Sequence, residues 1–200
     1  MATQTKTAPT VCLIAMGSNM QTEAETSRMI IERAAGEVAR VLGPVQQSGL
    51  YATPCFPAGA GPDYVNAALA LFTDLPAASV LKALHKIEAD FGRQRVQRWG
   101  QRTLDLDLLA LGTQVAPDLA TFDHWQNLPL ETQKLRAPDQ LILPHPRLHE
   151  RAFVLVPLAD VAPTWCHPVV GQTVREMLAR CSVEDTAEVS LICSGEEWRI

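Results

Sequence analysis

Asp105 and Asp107 stand two residues apart in the run Thr103-Leu104-Asp105-Leu106-Asp107-Leu108-Leu109-Ala110-Leu111. The composition of this run predicts a β-strand over 103–111. Side chains of a strand alternate between its faces, so both carboxylates must point one way. Leu104, Leu106 and Leu108 must then point the other way, into a core. Two like charges this close repel unless a cation lies between them. Carboxylate oxygens are hard donors and suit Mg²⁺. Just upstream, Arg93, Arg95, Arg98 and Arg102 concentrate guanidinium groups. Paired carboxylates beside clustered arginines predict a site for a metal-bound polyphosphate.

The rest of the composition narrows the class of protein. The chain has 200 residues, 47% of them apolar and 20% charged, with a net charge of −5. A protein that grips nucleic acid by its phosphates is usually basic. A local arginine excess in an acidic chain fits a small anion better. Cys12, Cys55, Cys166, Cys181 and Cys193 are odd in number, scattered and without a Cys-x-x-Cys pair. This spacing argues against a disulfide framework and a zinc ribbon, and for a reducing cytoplasm. Residues 1–9 lack the apolar centre of a signal peptide, and no apolar run has transmembrane length. The expectation is a monomer acting on small molecules, with neither nucleic acid nor membrane as partner and oligomeric state left open.

The order of elements gives the fold class. A buried strand is expected over Val11–Met16, ending at Gly17-Ser18-Asn19. Thr22-x-x-Glu25 reads as a capping box for a helix carrying Ile30, Ala34, Val38 and Val41, stopped at Gly43-Pro44. A second strand is expected over Val45–Tyr51, a proline-rich loop over 53–63, and a third strand over Tyr64–Thr73. Pro76 opens a helix whose stripe is Val80, Leu84, Ile87 and Phe91, with Gly92 at its end. Segment 113–138 reads as a polar surface insertion with room for a short helix, and Val174–Cys181 as a helix. Residues 183–200 show no clear pattern. The order strand-helix-strand-strand-helix-strand predicts an α+β, ferredoxin-like antiparallel sheet with helices packed on one face. One domain of residues 1–200 is expected, with its core over 11–180.

Several blocks together resemble the 6-hydroxymethyl-7,8-dihydropterin pyrophosphokinase family. They are Gly17-Ser18-Asn19, Tyr51-Ala52-Thr53-Pro54, Pro62-Asp63-Tyr64-Val65-Asn66-Ala67, Ile87-Glu88 with Gly92-Arg93, the Arg98–Gly112 run and the Pro144–Pro157 segment. The resemblance implies transfer of pyrophosphate from ATP to the hydroxymethyl group of a reduced pterin, leaving AMP. It implies that Asp105 and Asp107 bind two Mg²⁺ ions, and that Arg93 and Arg102 stabilise charge on the transferring group. It sets Arg95, Arg98, His145 and Arg151 on the ATP phosphates, with Glu88 nearby. Thr53, Pro54, Tyr64, Asn66, Trp99 and Phe153 are implied as the pterin pocket. The chain departs from the family pattern at Gln101, Cys55-Phe56-Pro57 and His85, and in the insertion and tail.

These residue types fit that chemistry. The chain has no Gly-x-x-x-x-Gly-Lys-Ser/Thr loop, so side chains and metal must hold the phosphates. Guanidinium forks supply permanent charge for them. Trp99 and Phe153 can sandwich a flat heterocycle, and the Asn66 amide can meet its amidine-like edge. Two rivals compete with this reading. One is an RNA-binding ferredoxin-like module, which would need an aromatic-rich strand and positive charge. The other is a related phosphotransferase with a different acceptor. His145-x-x-x-His149 has zinc-ligand spacing if helical, but Pro146 intervenes and no third ligand is evident.

Overall fold

Strand β1 (Thr10–Ser18) is the axis on which the molecule is built. It pairs antiparallel with β4 (Tyr64–Thr73), from Thr10↔Thr73 through Ser18↔Val65. On its other side it pairs antiparallel with β5 (Asp105–Leu111). The computed structural model describes residues 9–20, 26–55, 61–92, 103–129, 132 and 136–200. β3 (Leu50–Thr53) continues the sheet beyond β4, and β6 (Ser190–Cys193) closes it, in the order β5-β1-β4-β3-β6. β2 (Val45–Gln47) also pairs with β4. The expected ferredoxin-like antiparallel sheet is therefore present.

The expected Val45–Tyr51 strand is broken in two. β2 meets β4 at Val45↔Leu71, whereas β3 meets it at Tyr51↔Asn66, one residue out of step. The break falls at Ser48-Gly49. There Ser48 Oγ accepts the Ala68 N–H at 2.8 Å. A Cβ on Gly49 would lie 2.9 Å from the Cys193 carbonyl oxygen, so only glycine lets β6 approach this closely.

Helices cover both faces of the sheet, not one. α1 (Ser27–Leu42) and α2 (Ala77–Asp90) bury Ile30, Ala34, Val38, Val80, Leu84 and Ile87 against Cys12, Ile14, Met16, Leu104, Leu106 and Leu108. Leu42 takes the buried position expected of Val41, which faces solvent. The cap of α1 is Thr26, which accepts the Met29 N–H. The Thr22–Glu25 box lies outside the described residues. After α2, Gly92 turns the chain at φ +77°, a conformation that favours glycine.

The second face is covered by α4 (Ala152–Val161) and α5 (Val174–Leu178), which follow a short α3 (Leu119–Gln126) in the expected insertion. Val154, Leu155, Leu158, Val174 and Met177 pack on Leu13, Ala68, Ala70 and Leu109. Segment 152–161 is apolar at every position but Asp160, so most of its surface requires burial. The tail is ordered by pairing. α6 (Val183–Ala187) leads into β6, and buried Trp198 donates its indole N–H to the Ser48 carbonyl at 2.8 Å.

The insertion is anchored by Phe122, fully buried, rather than by Trp125. Phe122 and Trp165 each place a ring 5.7 Å from the buried His167 imidazole, and His149 lies 6.4 Å away. His167 Nδ1 accepts the Val169 and Val170 N–H groups, so the neutral ring carries its proton on Nε2. Burial, aided by His149, pushes its pKa down to about 4. An unfolded chain takes up that proton near the ordinary 6.5, so the histidine contributes stability above that value, lost as pH falls toward 4. Urea midpoints measured across this window are expected to fall more steeply for the parent than for His167→Gln. Equal slopes would mean that His167 does not titrate there.

Candidate active site

The register of the sheet decides which side chains meet. Gly17 pairs with Asp105 on one side and with Asn66 on the other, and Asn66 pairs with Tyr51. Directly opposed residues share a face. Asp105, Gly17, Asn66 and Tyr51 therefore form one row across four strands. The next row on that face is Asp107, Ala15 and Ala68. The two aspartates thus face Asn66 across a strip of glycine and alanine.

Further along this face α4 packs on Leu13, Ala68, Ala70 and Leu109, and Asn66 is itself buried. Both aspartates are half-buried, and Leu104, Leu106 and Leu108 are buried on the helix side, as their alternation requires. A bulge in β5 keeps the pattern in phase beyond the acids. The partner of Ile14 is Leu108 and that of Leu13 is Ala110, which leaves Leu109 as the extra residue. Its carbonyl accepts the His145 N–H at 2.7 Å. The bulge therefore seats the segment that carries the basic groups.

Those groups are His145, Arg147 and Arg151. Arg151 sits at the N-terminus of α4, near enough to Asp107 and Asp105 for both to stabilise its charge. Burial still lowers its pKa below the ordinary arginine value. The same guanidinium lies 5.6 Å from the centre of the Phe153 ring, a cation–π contact. Phe153 is 41% exposed, with its ring available to a ligand. Burial and then the Arg151 charge push the His145 pKa down to about 3, with Asp105 opposing. His145 Nδ1 accepts the Arg147 N–H at 3.2 Å, so the neutral ring carries its proton on Nε2. A neutral donor of this kind can bond a phosphate oxygen without a proton being taken up.

Arg147 has no role in the sequence reading, although its charge lowers the pKa of both His145 and Arg151. It pairs with Glu150 across the turn of 3₁₀-helix Leu148–Glu150. Its place in Pro-His-Pro-Arg, two residues from His145, was the available signal. His149 faces away from the site, with Gln126 Nε2 3.3 Å from its Nε2. The two imidazoles of His145-x-x-x-His149 serve different neighbourhoods, in keeping with the expectation against a zinc pair.

At the opposite wall, the Asn66 amide donates to Thr53 Oγ1 at 2.8 Å, and Tyr64 pairs with Thr53 in the ladder. Tyr64 is half-buried and Pro54 exposed at the end of β3. A Cβ on Gly17 would come within 3.4 Å of Asn66 Oδ1 and 4.0 Å of the Tyr64 ring. Glycine at this position keeps the strip beside the amide clear. Asn19, at the end of β1, was quoted above only as part of a matching block. It is buried, and its amide donates to the Pro62 carbonyl at 3.4 Å, fastening the 53–63 loop to the end of β1. Tyr51 donates its hydroxyl to Asp160 of α4 at 2.8 Å.

Glu88 stands apart from these groups. It is 1% exposed, and its Oε1 accepts the Leu106 N–H at 2.9 Å. The expected contributions of Arg93, Arg95, Arg98, Trp99 and Arg102 lie outside the described residues.

The donor set of Asp105 and Asp107 fits a hard divalent cation. Among the described residues no group of three or more His, Cys, Asp or Glu side chains assembles. Two carboxylates leave most of an octahedral shell to water and to ligand oxygens, the arrangement Mg²⁺ prefers beside phosphates. Zinc would call for nitrogen or sulfur ligands in a closed set.

Known proteins resemble this chain. Residues 13–163 match the family model described as 7,8-dihydro-6-hydroxymethylpterin-pyrophosphokinase. A 2-amino-4-hydroxy-6-hydroxymethyldihydropteridine pyrophosphokinase of Pseudomonas aeruginosa is 36% identical over 171 residues, covering 86% of this chain and 91% of that one. Its namesake in Methylorubrum extorquens is 34% identical, covering 84% of this chain and 90% of its own. A Synechocystis protein of the same name is 38% identical over 58% of this chain, which spans only 50% of that relative. A crystal structure of Plasmodium falciparum HPPK-DHPS with pteroate has the same fold, with a TM-score of 0.63 at 14% identity. The alignment covers 89% of this chain and 44% of that one.

Proposed function

The chain belongs to the 7,8-dihydro-6-hydroxymethylpterin-pyrophosphokinase family, and from that premise we propose that it carries out the family's reaction in folate biosynthesis. Pyrophosphate passes from ATP to the hydroxymethyl group of 6-hydroxymethyl-7,8-dihydropterin. The hydroxymethyl oxygen bonds to the β-phosphorus, the bond from that phosphorus to the AMP oxygen breaks, and the hydroxyl proton is released. AMP and the pterin diphosphate leave.

One observation supports this reading above the others. The Asp105–Asp107 pair and the Asn66–Thr53 pair share one sheet face, separated by Gly17 and Ala15. Such a surface offers metal-binding oxygens at one end and an amide for a heterocycle at the other. Asn66 and Thr53 recognise the pterin edge, with Pro54, Tyr64 and Trp99 around them. Phe153 stacks on the ring.

Asp105 and Asp107 hold two Mg²⁺ ions. When bound, these ions neutralise phosphate charge and lower the pKa of the attacking hydroxyl. Arg95, Arg98, His145 and Arg151 hold the triphosphate, and Arg93 and Arg102 meet the charge that develops during transfer. Arg151 lies close to Asp107, so its guanidinium would stand beside the metal ligands before nucleotide arrives. Such preorganisation is the main route by which a phosphoryl-transfer site lowers its barrier.

The chain works as one domain over residues 1–200, as a monomer and in the cytoplasm. The five cysteines are all free, which agrees with a reducing compartment. No helix among the described residues is long and apolar enough to cross a membrane.

Incubation with ATP, Mg²⁺ and the reduced pterin alcohol is expected to yield AMP and pterin diphosphate. Release of ADP would reject the assignment. Asp107→Ala is expected to lower kcat by about 10³-fold or more, by analogy with lost transition-state donors, while circular dichroism stays at the parent spectrum. Near-parent turnover would remove Asp107 from the metal site. Gly17→Val should fill the cleared strip and weaken pterin binding about tenfold or more, a cost of about 1.4 kcal/mol. Calorimetry that gave an unchanged pterin affinity would place the pterin elsewhere.

A further inference from the structure

A buried carboxylate is costly unless bonded, and apolar side chains of similar size often serve stability better. Glu88 is such a group, almost fully buried in the last turns of α2. Its neighbours in that helix, Leu84 and Ile87, belong to the apolar layer beneath the sheet. Its bond goes to a specific place, the N–H of Leu106. Leu106 is the residue between Asp105 and Asp107.

The ladder explains why that N–H needs a partner. Successive residues of an antiparallel strand direct their backbone groups alternately to one side and the other. β5 has β1 on one side. At the level of the acids, the N–H of Leu106 is taken by a charged side chain from the helix layer. A charge-assisted bond of this kind is shorter and stronger than a neutral one. It lies at the midpoint of Asp-x-Asp, so it fixes the peptides that carry both acids. A small rotation of β5 about its own axis would swing both carboxylates together.

We infer that Glu88 is a positioning residue for the metal site, holding the Asp105–Asp107 pair in place through the Leu106 peptide. This rests on the reading of those aspartates as metal ligands, and it replaces the role beside ATP that the resemblance assigned to Glu88. The acidic side chain is needed for its acceptor oxygen at that peptide, which it reaches from the α2 layer.

The test compares Glu88→Met, which keeps length and loses the acceptor, with Glu88→Gln, which keeps an acceptor and loses the charge. Three properties are read in each: amide hydrogen exchange at Leu106, Mn²⁺ binding by electron paramagnetic resonance with a non-hydrolysable ATP analogue, and affinity for that analogue without metal. Groups that orient metal ligands typically change metal affinity about 10–100-fold when lost. Glu88→Met is expected to expose the Leu106 amide to exchange and to weaken Mn²⁺ binding about tenfold or more, with metal-free nucleotide affinity unchanged. Glu88→Gln should restore amide protection and most of the Mn²⁺ affinity.

A Met variant with parent Mn²⁺ affinity would overturn the inference, even if its Tm fell, because the role would then be structural alone. Equal weakening of nucleotide affinity with and without metal would overturn it in favour of a direct nucleotide contact. If the Met variant fails to fold, the Gln variant decides alone. Retained Mn²⁺ affinity supports the inference, and a loss as large as tenfold rejects it. None of these readouts depends on turnover. A parent protein that makes no pterin diphosphate would therefore sink the proposed activity without bearing on Glu88.

Discussion

Two carboxylates on one face of one strand are the constraint around which this molecule is arranged. They repel each other, and the protein does not separate them. It instead surrounds the pair with positive charge. Arg151 is held at the start of α4, where its charge is stabilised by Asp107 and Asp105 and destabilised by burial. His145, which could add a further cation, is kept neutral by that burial and by the guanidinium beside it. Among the described groups, the cation whose charge both acids stabilise is Arg151.

The second requirement is empty space, met by the smallest residues. Gly17 and Ala15 occupy the central strand between the acids and Asn66. Larger side chains there would fill the gap between the metal end and the amide end. In the next stretch of the same strand, Leu13 packs beneath α4. One strand therefore serves two purposes along a single face: core under α4, and small residues beside the acids. Arg151 and Phe153, just before α4 and in its first turn, stand at the boundary.

Much of this was legible in the sequence because it depends on local periodicity. The Asp105–Asp107 alternation fixed which side chains face the cleft, and the stripe of Ile30, Ala34 and Val38 fixed the buried face of α1. What was not legible depends on distant partners. The break at Ser48-Gly49 exists because Ala68 and Cys193 approach it, and neither is near in sequence. Residues 183–200 looked patternless because β6 is a short strand, and what orders it is the edge of β3 and the Ser48 carbonyl that holds Trp198. The second helical layer was missed for a related reason. A segment apolar at all but one position gives no amphipathic signature, so 152–161 did not reveal which face it would cover. In the site, Asn66 and Thr53 were named through the resemblance, but their mutual bond follows from register alone. The same is true of Glu88, whose neighbour in sequence gives no hint of its bond to Leu106.

The division between the two faces has a mechanical consequence. Asp105, Asp107 and Asn66 share the α4 side of the sheet, while Glu88 reaches β5 from the α2 layer. The acids are therefore clamped from behind, by a group that ligand does not displace. The His145 segment is tied to the same strand through the Leu109 carbonyl, at the bulge beyond the acids. β5 thus carries the metal ligands at its start and seats the basic segment further along. A disturbance of this one strand would move the acids and His145 together. That coupling requires the strand to be held at both points, and beyond its ladder with β1 it is bonded at Leu106 by Glu88 and at Leu109 by the His145 N–H.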